Sequence, residues 1–194
     1  SIPAPKKRET LKKQTIFSYI FFIAILLFST YLIILNHAMF KAGNLAIQGF
    51  ARASSDLDES KRLFQEALAL NTLLDDHIRL TIGKSVENAV REGGMAIEEV
   101  RVQSYLRFAL EEIEIGLGTR PHFLPFVVAL GTLYPLVEDP LLIQKGIDTL
   151  KKALTLQEKR SILYHQLAQL LFKKGDVRQA RMHEQTAITL YPEN

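Results

Sequence analysis

The sequence predicts an all-α protein in which one N-terminal transmembrane helix is followed by a solenoid of helical hairpins. Three observations support this prediction. Residues 15–36 form an uncharged, largely apolar run that is long enough to cross a bilayer. After this run, apolar residues recur every three to four positions and no stretch alternates with a period of two, which predicts helices and almost no strand. Near the end of the chain, small and apolar residues recur 34 positions apart.

Residues 1–14 are predicted to be a basic linker on the cytoplasmic side, with little regular structure because of Pro3 and Pro5. Five basic residues precede the span, namely Lys6, Lys7, Arg8, Lys12 and Lys13. Only Lys41 and Arg52 follow it closely. The positive-inside rule therefore predicts a cytoplasmic N-terminus and an extracytoplasmic remainder. Because this rule is statistical, a cytoplasmic location for the helices that follow remains an open alternative.

The run at 15–36 has two other interpretations. A cleaved signal peptide has an apolar core of about 7 to 15 residues that ends in a small-residue cleavage site. This run is longer, and the segment Asn36–Phe40 (NHAMF) offers no such site. A buried core helix is apolar along one stripe, whereas this run is apolar on every face. We therefore predict a membrane-spanning helix.

Charge and composition limit the function classes. The net charge is +3, and the basic residues of the membrane flank account for it, so the remaining chain is close to neutral. A nucleic-acid interface would need a basic face on the folded part, so no nucleic-acid partner is predicted. The chain contains no cysteine, which excludes disulfides and thiolate metal sites.

Residues 37–120 are predicted to be helical, with a degenerate first repeat. A helix continues out of the span or restarts near Gly43. The next helix, which carries Ser60, Phe64 and Ala67, is expected to be capped by Ser55 or Asp58. Two longer helices follow, over about 73–91 and 95–115, and the pair Gly93-Gly94 is predicted to form the turn between them.

Residues 121–194 carry the clearest recurrence. Four helices are predicted there, over about 122–134, 141–156, 161–173 and 177–191. The set Gly146, Leu150, Ala153 recurs 34 residues later as Ala180, Glu184, Ala187. This is the period of a tetratricopeptide repeat, and two such repeats are predicted. Glu184 stands where a large apolar residue is usual, which fits an outermost pair that meets water. A generic helical bundle is the open alternative.

No residue pattern predicts catalysis, a cofactor or a metal site. The five histidines are dispersed, at His37, His77, His122, His165 and His183, and none forms a metal-binding spacing on a helix. No nucleophile motif and no phosphate-binding glycine loop is present. Whether the chain is part of an enzyme therefore stays undecided, because any active site would lie outside this sequence.

Binding is the remaining class of function. Stacked helical pairs create a concave surface, and the first helix of each pair lines it. An extended peptide or a partner helix is the ligand predicted for such a surface. The alternative is that these residues only face water or cover a neighbouring helix. By the usual repeat geometry the lining residues are Val128, Thr132, Ile162, His165, Gln169, Phe172 and Lys173.

The order of segments resembles a known family. After the basic linker and the span come FQEALALNT at Phe64–Thr72, DHIR at Asp76–Arg79, RPHFLPFVVALGTLY at Arg120–Tyr134 and, at Glu158–Asp176, EKRSILYHQLAQLLFKKGD. The chain then ends in LYPEN. This order is similar to the C-terminal part of bacterial O-antigen ligase or polymerase-like membrane proteins that carry a tetratricopeptide tail.

The resemblance implies the inner membrane of a bacterium and a role in assembling an envelope glycan. In that family the glycan-transfer chemistry belongs to upstream membrane helices and a large external loop. No part of this chain matches those elements, so no catalytic residue is carried over. Since the chain begins at Ser1, we expect it to be the C-terminal part of a longer protein. The alternative is a free-standing, single-pass scaffold or assembly factor.

Overall fold

The computed structural model describes residues 6–92 and 99–191, and within them every regular element is helical. Part of the predicted 1–14 linker, the pair Gly93-Gly94 and the final residues 192–194 lie outside the described residues. The α-helices are α1 (Lys6–Arg52), α2 (Leu57–Ala69), α3 (Asp75–Glu92), α4 (Glu99–Thr119), α5 (Leu124–Leu133), α6 (Pro140–Leu156), α7 (Ser161–Lys174) and α8 (Val177–Leu190).

Helix α1 is continuous over 47 residues and contains the predicted span. It is long and apolar enough to cross a membrane, and every side chain from residue 17 to residue 34 is exposed. The sequence-based expectation of weak structure before the span is wrong from Lys6 onward, because α1 already begins there. Of the two alternatives after the span, the structure shows the continuing helix and no restart near Gly43, since α1 runs on to Arg52.

Capping residues set most of the later helix boundaries. Asp56 caps α2 by accepting a hydrogen bond from the Glu59 amide at 3.1 Å, so the predicted caps Ser55 and Asp58 are wrong by one and two positions. Asp139 and Asp176 cap α6 and α8 in the same way, at 2.9 and 3.1 Å from the bonded amides. At the end of α7, Gly175 adopts a left-handed φ of 91°.

A proline ends α5. Pro135 has no backbone N–H to donate to the helix hydrogen-bond ladder, and the chain tightens into a 3-10 turn over Tyr134–Leu136. Pro125 is tolerated because it lies in the first turn of the same helix. The resulting helix is short, with 10 residues, and four of its side chains besides Gly131 are buried.

Packing follows chain order. Each helix contacts the next one along the chain, and the short connections make neighbours run in opposite directions. In addition, α1 contacts α3, α3 contacts α5, and α5 contacts α7. The odd-numbered helices therefore line up side by side along one face of the protein. One hydrophobic core runs through these contacts, from Ala42 on α1 to Ala180 on α8.

A buried chain of hydroxyl groups joins the first four helices. The Tyr105 hydroxyl lies 2.7 Å from both Ser60 Oγ and Ser85 Oγ, and Ser60 donates to the Gly49 carbonyl at 2.7 Å. Burial raises the pKa of the Tyr105 phenol, while its bonds to the two serines lower it in part. The phenol therefore keeps its proton and takes part as a neutral hydroxyl.

The two backbone carbonyls fix the direction of the outer hydrogen bonds. A carbonyl oxygen can only accept, so Ser60 donates to Gly49 and Ser85 donates to the Ile82 carbonyl at 2.6 Å. The Tyr105 proton is the one that remains, and it can be donated to either serine.

Glycines allow close packing in the last four helices. A Cβ on Gly146 would lie 2.7 Å from Cγ of Tyr134, so the ring rests directly on the α6 backbone. A Cβ on Gly131 would lie 2.2 Å from Oε1 of Gln166, which brings α7 equally close to α5. Glycine at these positions therefore permits the close approach of neighbouring helices.

Candidate functional site

The exposed side of α1, α3, α5 and α7 forms a common surface, which we call the odd-helix face. It arises because each of these helices contacts the next odd-numbered one. All seven residues predicted to bind a partner lie on its last two helices, α5 and α7. The structure divides these seven into three groups with different surroundings.

Two of them, Ile162 and His165, line a groove of about 820 Å³ between α7 and α8. Nδ1 of His165 lies 2.9 Å from Oε2 of Glu184, and its Nε2 lies 2.9 Å from Nε2 of Gln169. The Gln169 amide nitrogen can only donate, so His165 accepts at Nε2 and donates from Nδ1 to Glu184. The predicted residues His165 and Gln169 thus belong to one polar chain, and Glu184 completes it in the half-exposed position expected for an outermost pair.

Phe172 and Lys173 stand at the other end of α7. Phe172 is exposed, with no place in the hydrophobic core. The Lys173 ammonium donates to the Pro135 carbonyl at 2.8 Å, which ties α7 to the 3-10 turn after α5. Phe172 is therefore an available apolar contact on this face, whereas Lys173 already has a partner within the chain.

Val128 and Thr132 are half-buried where α5 meets α7. The side chain of Gln166 donates from Nε2 to the Val128 carbonyl at 2.9 Å and to Thr132 Oγ1 at 3.1 Å. These contacts show Val128 and Thr132 helping to hold the two helices together. Sequence analysis missed Gln166, although a glutamine between Leu163 and Leu167 on the apolar side of α7 was a visible signal.

Gln166 also carries an acceptor without a partner. Its Oε1 is buried, faces Gly131, and receives no hydrogen bond among the described residues. An unsatisfied buried acceptor of this kind costs about 1 to 3 kcal/mol. Both Nε2 protons of Gln166 are donated to acceptors on α5. Rotating the amide by 180° would break these two hydrogen bonds and leave at most one in their place. The orphan oxygen is therefore a consequence of close helix packing.

A second groove was not predicted from the sequence. It has a volume of about 390 Å³, lies between α1 and α3 on the odd-helix face, and is mainly apolar, with His77, Thr81 and Lys84 as its polar members. The two helices that form it are separated in sequence by α2, so no local pattern marks the groove. Its lining residues are Gly43, Ala46, Ile47, Phe50, Leu74, His77, Ile78, Thr81 and Lys84.

A third groove, of about 590 Å³, separates α4 from α6 on the opposite side. At its wall the Tyr134 hydroxyl donates to Oε1 of Glu114 at 2.5 Å, and Lys145 donates to Oε2 at 2.5 Å. Burial, and then the Glu114 carboxylate, raise the pKa of Tyr134. The phenol keeps its proton at neutral pH and each carboxylate oxygen of Glu114 accepts a hydrogen bond, so this cluster joins α4 to α6.

Across residues 6–92 and 99–191, no three His, Asp or Glu side chains lie close enough together to hold an ion. Comparison of the chain with models of known protein families gives no match, and no curated protein is significantly similar to it. The geometry of the grooves is therefore what bears on function.

Proposed function

We propose that this protein is a membrane-tethered interaction module with a tetratricopeptide-like fold. In this proposal α1 anchors the protein in a membrane, and the odd-helix face binds an extended peptide or a partner helix. No step of catalysis is assigned to the chain. The observation that carries the proposal is the exposed part of α7 on the odd-helix face, where Ile162 and His165 line an open groove on a scaffold of packed helix pairs.

A recurrent triplet supports the tetratricopeptide-like fold. Each even-numbered helix carries a triplet of residues on its packed side. The first is small, the second follows four positions later, and the third, again small, follows three positions after that. Of these twelve positions all are buried except Glu184, which belongs to the last pair. The triplets are Ser60, Phe64, Ala67 on α2; Ala109, Ile113, Gly116 on α4; Gly146, Leu150, Ala153 on α6; and Ala180, Glu184, Ala187 on α8.

The triplet on α4 accounts for the region where the repeat is hard to read. The second helix pair, α3 with α4, has longer helices than the last two pairs, so its triplet stands 49 positions after that of α2 and 37 before that of α6. A fixed period of 34 misses it. We therefore propose four helix pairs, formed by α1 with α2, α3 with α4, α5 with α6, and α7 with α8.

Exposure of the first part of α1 supports the membrane anchor. No other described part of the chain covers side chains 17–34, and a run of this length with no apolar partner is stable in a bilayer. The basic flank favours a cytoplasmic N-terminus, which would place α2 to α8 outside the cytoplasm. Location in the inner membrane of a bacterium rests on the family resemblance alone.

The composition of the odd-helix face supports a peptide as the ligand. Apolar side chains such as Ile162 and Phe172 are exposed on α7, beside the exposed amide of Gln169 and the half-exposed imidazole of His165. Such a surface can bind apolar side chains of an extended peptide and can donate to its carbonyl or carboxylate oxygens. We propose that the module is the non-catalytic tail of an O-antigen ligase or polymerase-like protein that assembles an envelope glycan.

A free-standing scaffold is the second candidate. The described chain contains both a candidate anchor and a binding face, so it can recruit a partner to a membrane without a further domain. The two candidates differ in what the bound partner does, and both require the odd-helix face. Glycosyl transfer by the isolated chain would contradict both.

Two exposed glutamines allow a matched test. Gln169 lies on the odd-helix face, and Gln185 lies on the outward side of α8. Each is replaced in turn by the photo-reactive residue p-benzoylphenylalanine, and envelope fractions are irradiated. We expect protein adducts from position 169 and at least tenfold fewer from position 185. Equal adduct yields at the two positions would contradict the binding face.

Because the chain has no cysteine, Gln185→Cys labelled by a membrane-impermeant maleimide in intact spheroplasts reports the topology.

A further inference from the structure

Beyond the candidate span, α1 carries a largely apolar strip that is exposed at Asn36, Phe40 and Ile47 and half-buried at Gly43 and Phe50. The strip consists of Asn36, Phe40, Gly43, Ile47 and Phe50, which are spaced alternately by four and three residues. Phe40 is 76% exposed and Ile47 is 70% exposed. This spacing keeps the five residues on one side of the helix, and it is the pattern by which two helices pack together in a coiled coil.

The other sides of α1 have different surroundings. Ala42 and Ala46 are buried, and a Cβ on Gly49 would lie 3.1 Å from the ring of Phe64, so this side packs against α2 and α3. A third side carries Lys41, Asn44 and Gln48, which are exposed to water, and Gln48 donates to Asn44 at 3.3 Å. The apolar strip therefore lies between a packed side and a polar side.

The same spacing continues back through the span. It passes through exposed Ile33, Ser29, Leu26, Phe22 and Tyr19 without interruption. The strip thus crosses the boundary between the bilayer and water. Lipid can cover only the part of the strip within the candidate span, and a soluble peptide can cover only the part beyond it.

We propose that the strip is the interface with a second copy of this chain, packed parallel and in register along α1. The proposal rests on the proposed membrane anchor. A second copy enters the same membrane in the same direction, so its α1 necessarily presents the same strip at the same depth. The strip carries no charged side chain, and Asn36 can pair with Asn36 of the second copy, which is how a polar residue fixes the register of parallel helices.

The groove between α1 and α3 gives the second copy a place to pack. Phe50, Leu74 and Ile78 line it beside Ile47 of the strip. With its volume of about 390 Å³ it can receive a large apolar side chain such as Phe40 or Ile47 from the opposing helix. Pairing would remove from water the exposed apolar side chains that the single chain leaves uncovered above the bilayer.

Cysteine cross-linking tests the interface in the full chain, reconstituted in lipid vesicles. Because the chain has no cysteine of its own, Phe40→Cys and Ile47→Cys each introduce a single thiol into the strip. Lys41→Cys and Gln48→Cys place the thiol one residue further along, on the polar side, as matched controls. After mild oxidation we expect at least tenfold more disulfide-linked dimer at positions 40 and 47 than at 41 and 48.

A second variant checks that the strip causes the association. Adding Ile47→Glu to Phe40→Cys sets two carboxylates against each other and should lower the dimer yield at least tenfold, whereas adding Gln48→Glu should leave it unchanged. Equal yields at strip and control positions, or no dimer, would overturn the interface. Flotation of the vesicles separates the two proposals: a chain that floats without cross-linking overturns only the dimer, whereas a chain that does not float overturns the anchor as well.

Discussion

Two buried tyrosines, one in the first four helices and one after α5 in the last four, join neighbouring helices by different means. In the first half, the Tyr105 hydroxyl bonds to Ser60 and Ser85, and the Ser60 hydroxyl reaches the Gly49 carbonyl. In the last half, Tyr134 rests its ring on Gly146, and its hydroxyl reaches outward to Glu114. One arrangement depends on directional hydrogen bonds and the other on the absence of a side chain.

This difference has an energetic consequence. A buried hydrogen bond contributes about 0.5 to 1.5 kcal/mol net, and its partners can often find another geometry. A methyl group added at a close-packed glycine has no alternative geometry, because the interior around it has no free volume. We therefore expect the last half to be more sensitive to a single added methyl group than the first half is to a single lost hydroxyl.

The largest effect is expected from Gly146→Ala. The new Cβ would lie 2.7 Å from Cγ and 2.9 Å from Cβ of Tyr134, atoms close to the backbone that cannot swing away. Overpacking of this kind costs about 1 to 3 kcal/mol, and the rigidity of this contact favours the upper end. Denaturant unfolding of the detergent-solubilised chain, followed by circular dichroism, measures the change in the free energy of unfolding.

Gly118→Ala is the matched control for this substitution. Gly118 is exposed on α4, and a Cβ there would meet nothing within 4 Å. Alanine is the better helix former by about 1 kcal/mol, so this variant should be unchanged or slightly more stable. If Gly146→Ala unfolded at the same denaturant concentration as Gly118→Ala, the close packing of Tyr134 on α6 would be wrong.

A smaller effect is expected from Tyr105→Phe in the first half. The substitution keeps the ring in the core and removes the hydroxyl that links α2, α3 and α4. Ser85 still donates to the Ile82 carbonyl at 2.6 Å and Ser60 still donates to the Gly49 carbonyl, so only the contacts of the phenol are lost. We expect a loss of about 1 kcal/mol in the same unfolding measurement. A loss larger than that of Gly146→Ala would reverse the comparison between the two halves.

Much of the helical organisation could be predicted from the sequence, and more accurately in the last half. There the helices are short and bounded by Pro135, Asp139 and Gly175, residues whose backbone preferences act locally. In the first half, α1 runs unbroken through Gly43, because packing of its alanine-rich side against α2 and α3 outweighs the helix-weakening effect of one glycine. Local signals cannot show such a long-range compensation.

The candidate site was less accessible to sequence reasoning. Repeat positions place His165 and Gln169 on the odd-helix face, where the structure also joins them to Glu184. The repeat positions do not show that Gln166 donates hydrogen bonds to Val128 and Thr132. Those contacts depend on how closely Gly131 allows α7 to approach α5. The groove between α1 and α3 depends on two helices that are not neighbours in sequence, and only their packing creates it.

The smallest expected effect concerns pH and the last helix pair. Partial burial, and then the nearby charge of Lys151 on α6, lower the pKa of His183, whose ring also stacks on Tyr164 at 5.9 Å. The folded state therefore favours the neutral imidazole. The contribution of this group to stability is fully present above the ordinary histidine pKa of about 6.5, and it is lost as the pH falls through the lowered folded-state value. We expect the free energy of unfolding to fall between about pH 7.5 and pH 5 more for the native chain than for His183→Gln. Parallel pH profiles for the two proteins would show that His183 has the same pKa in the folded and unfolded states. In that case neither burial nor the charge of Lys151 would act on the His183 ring.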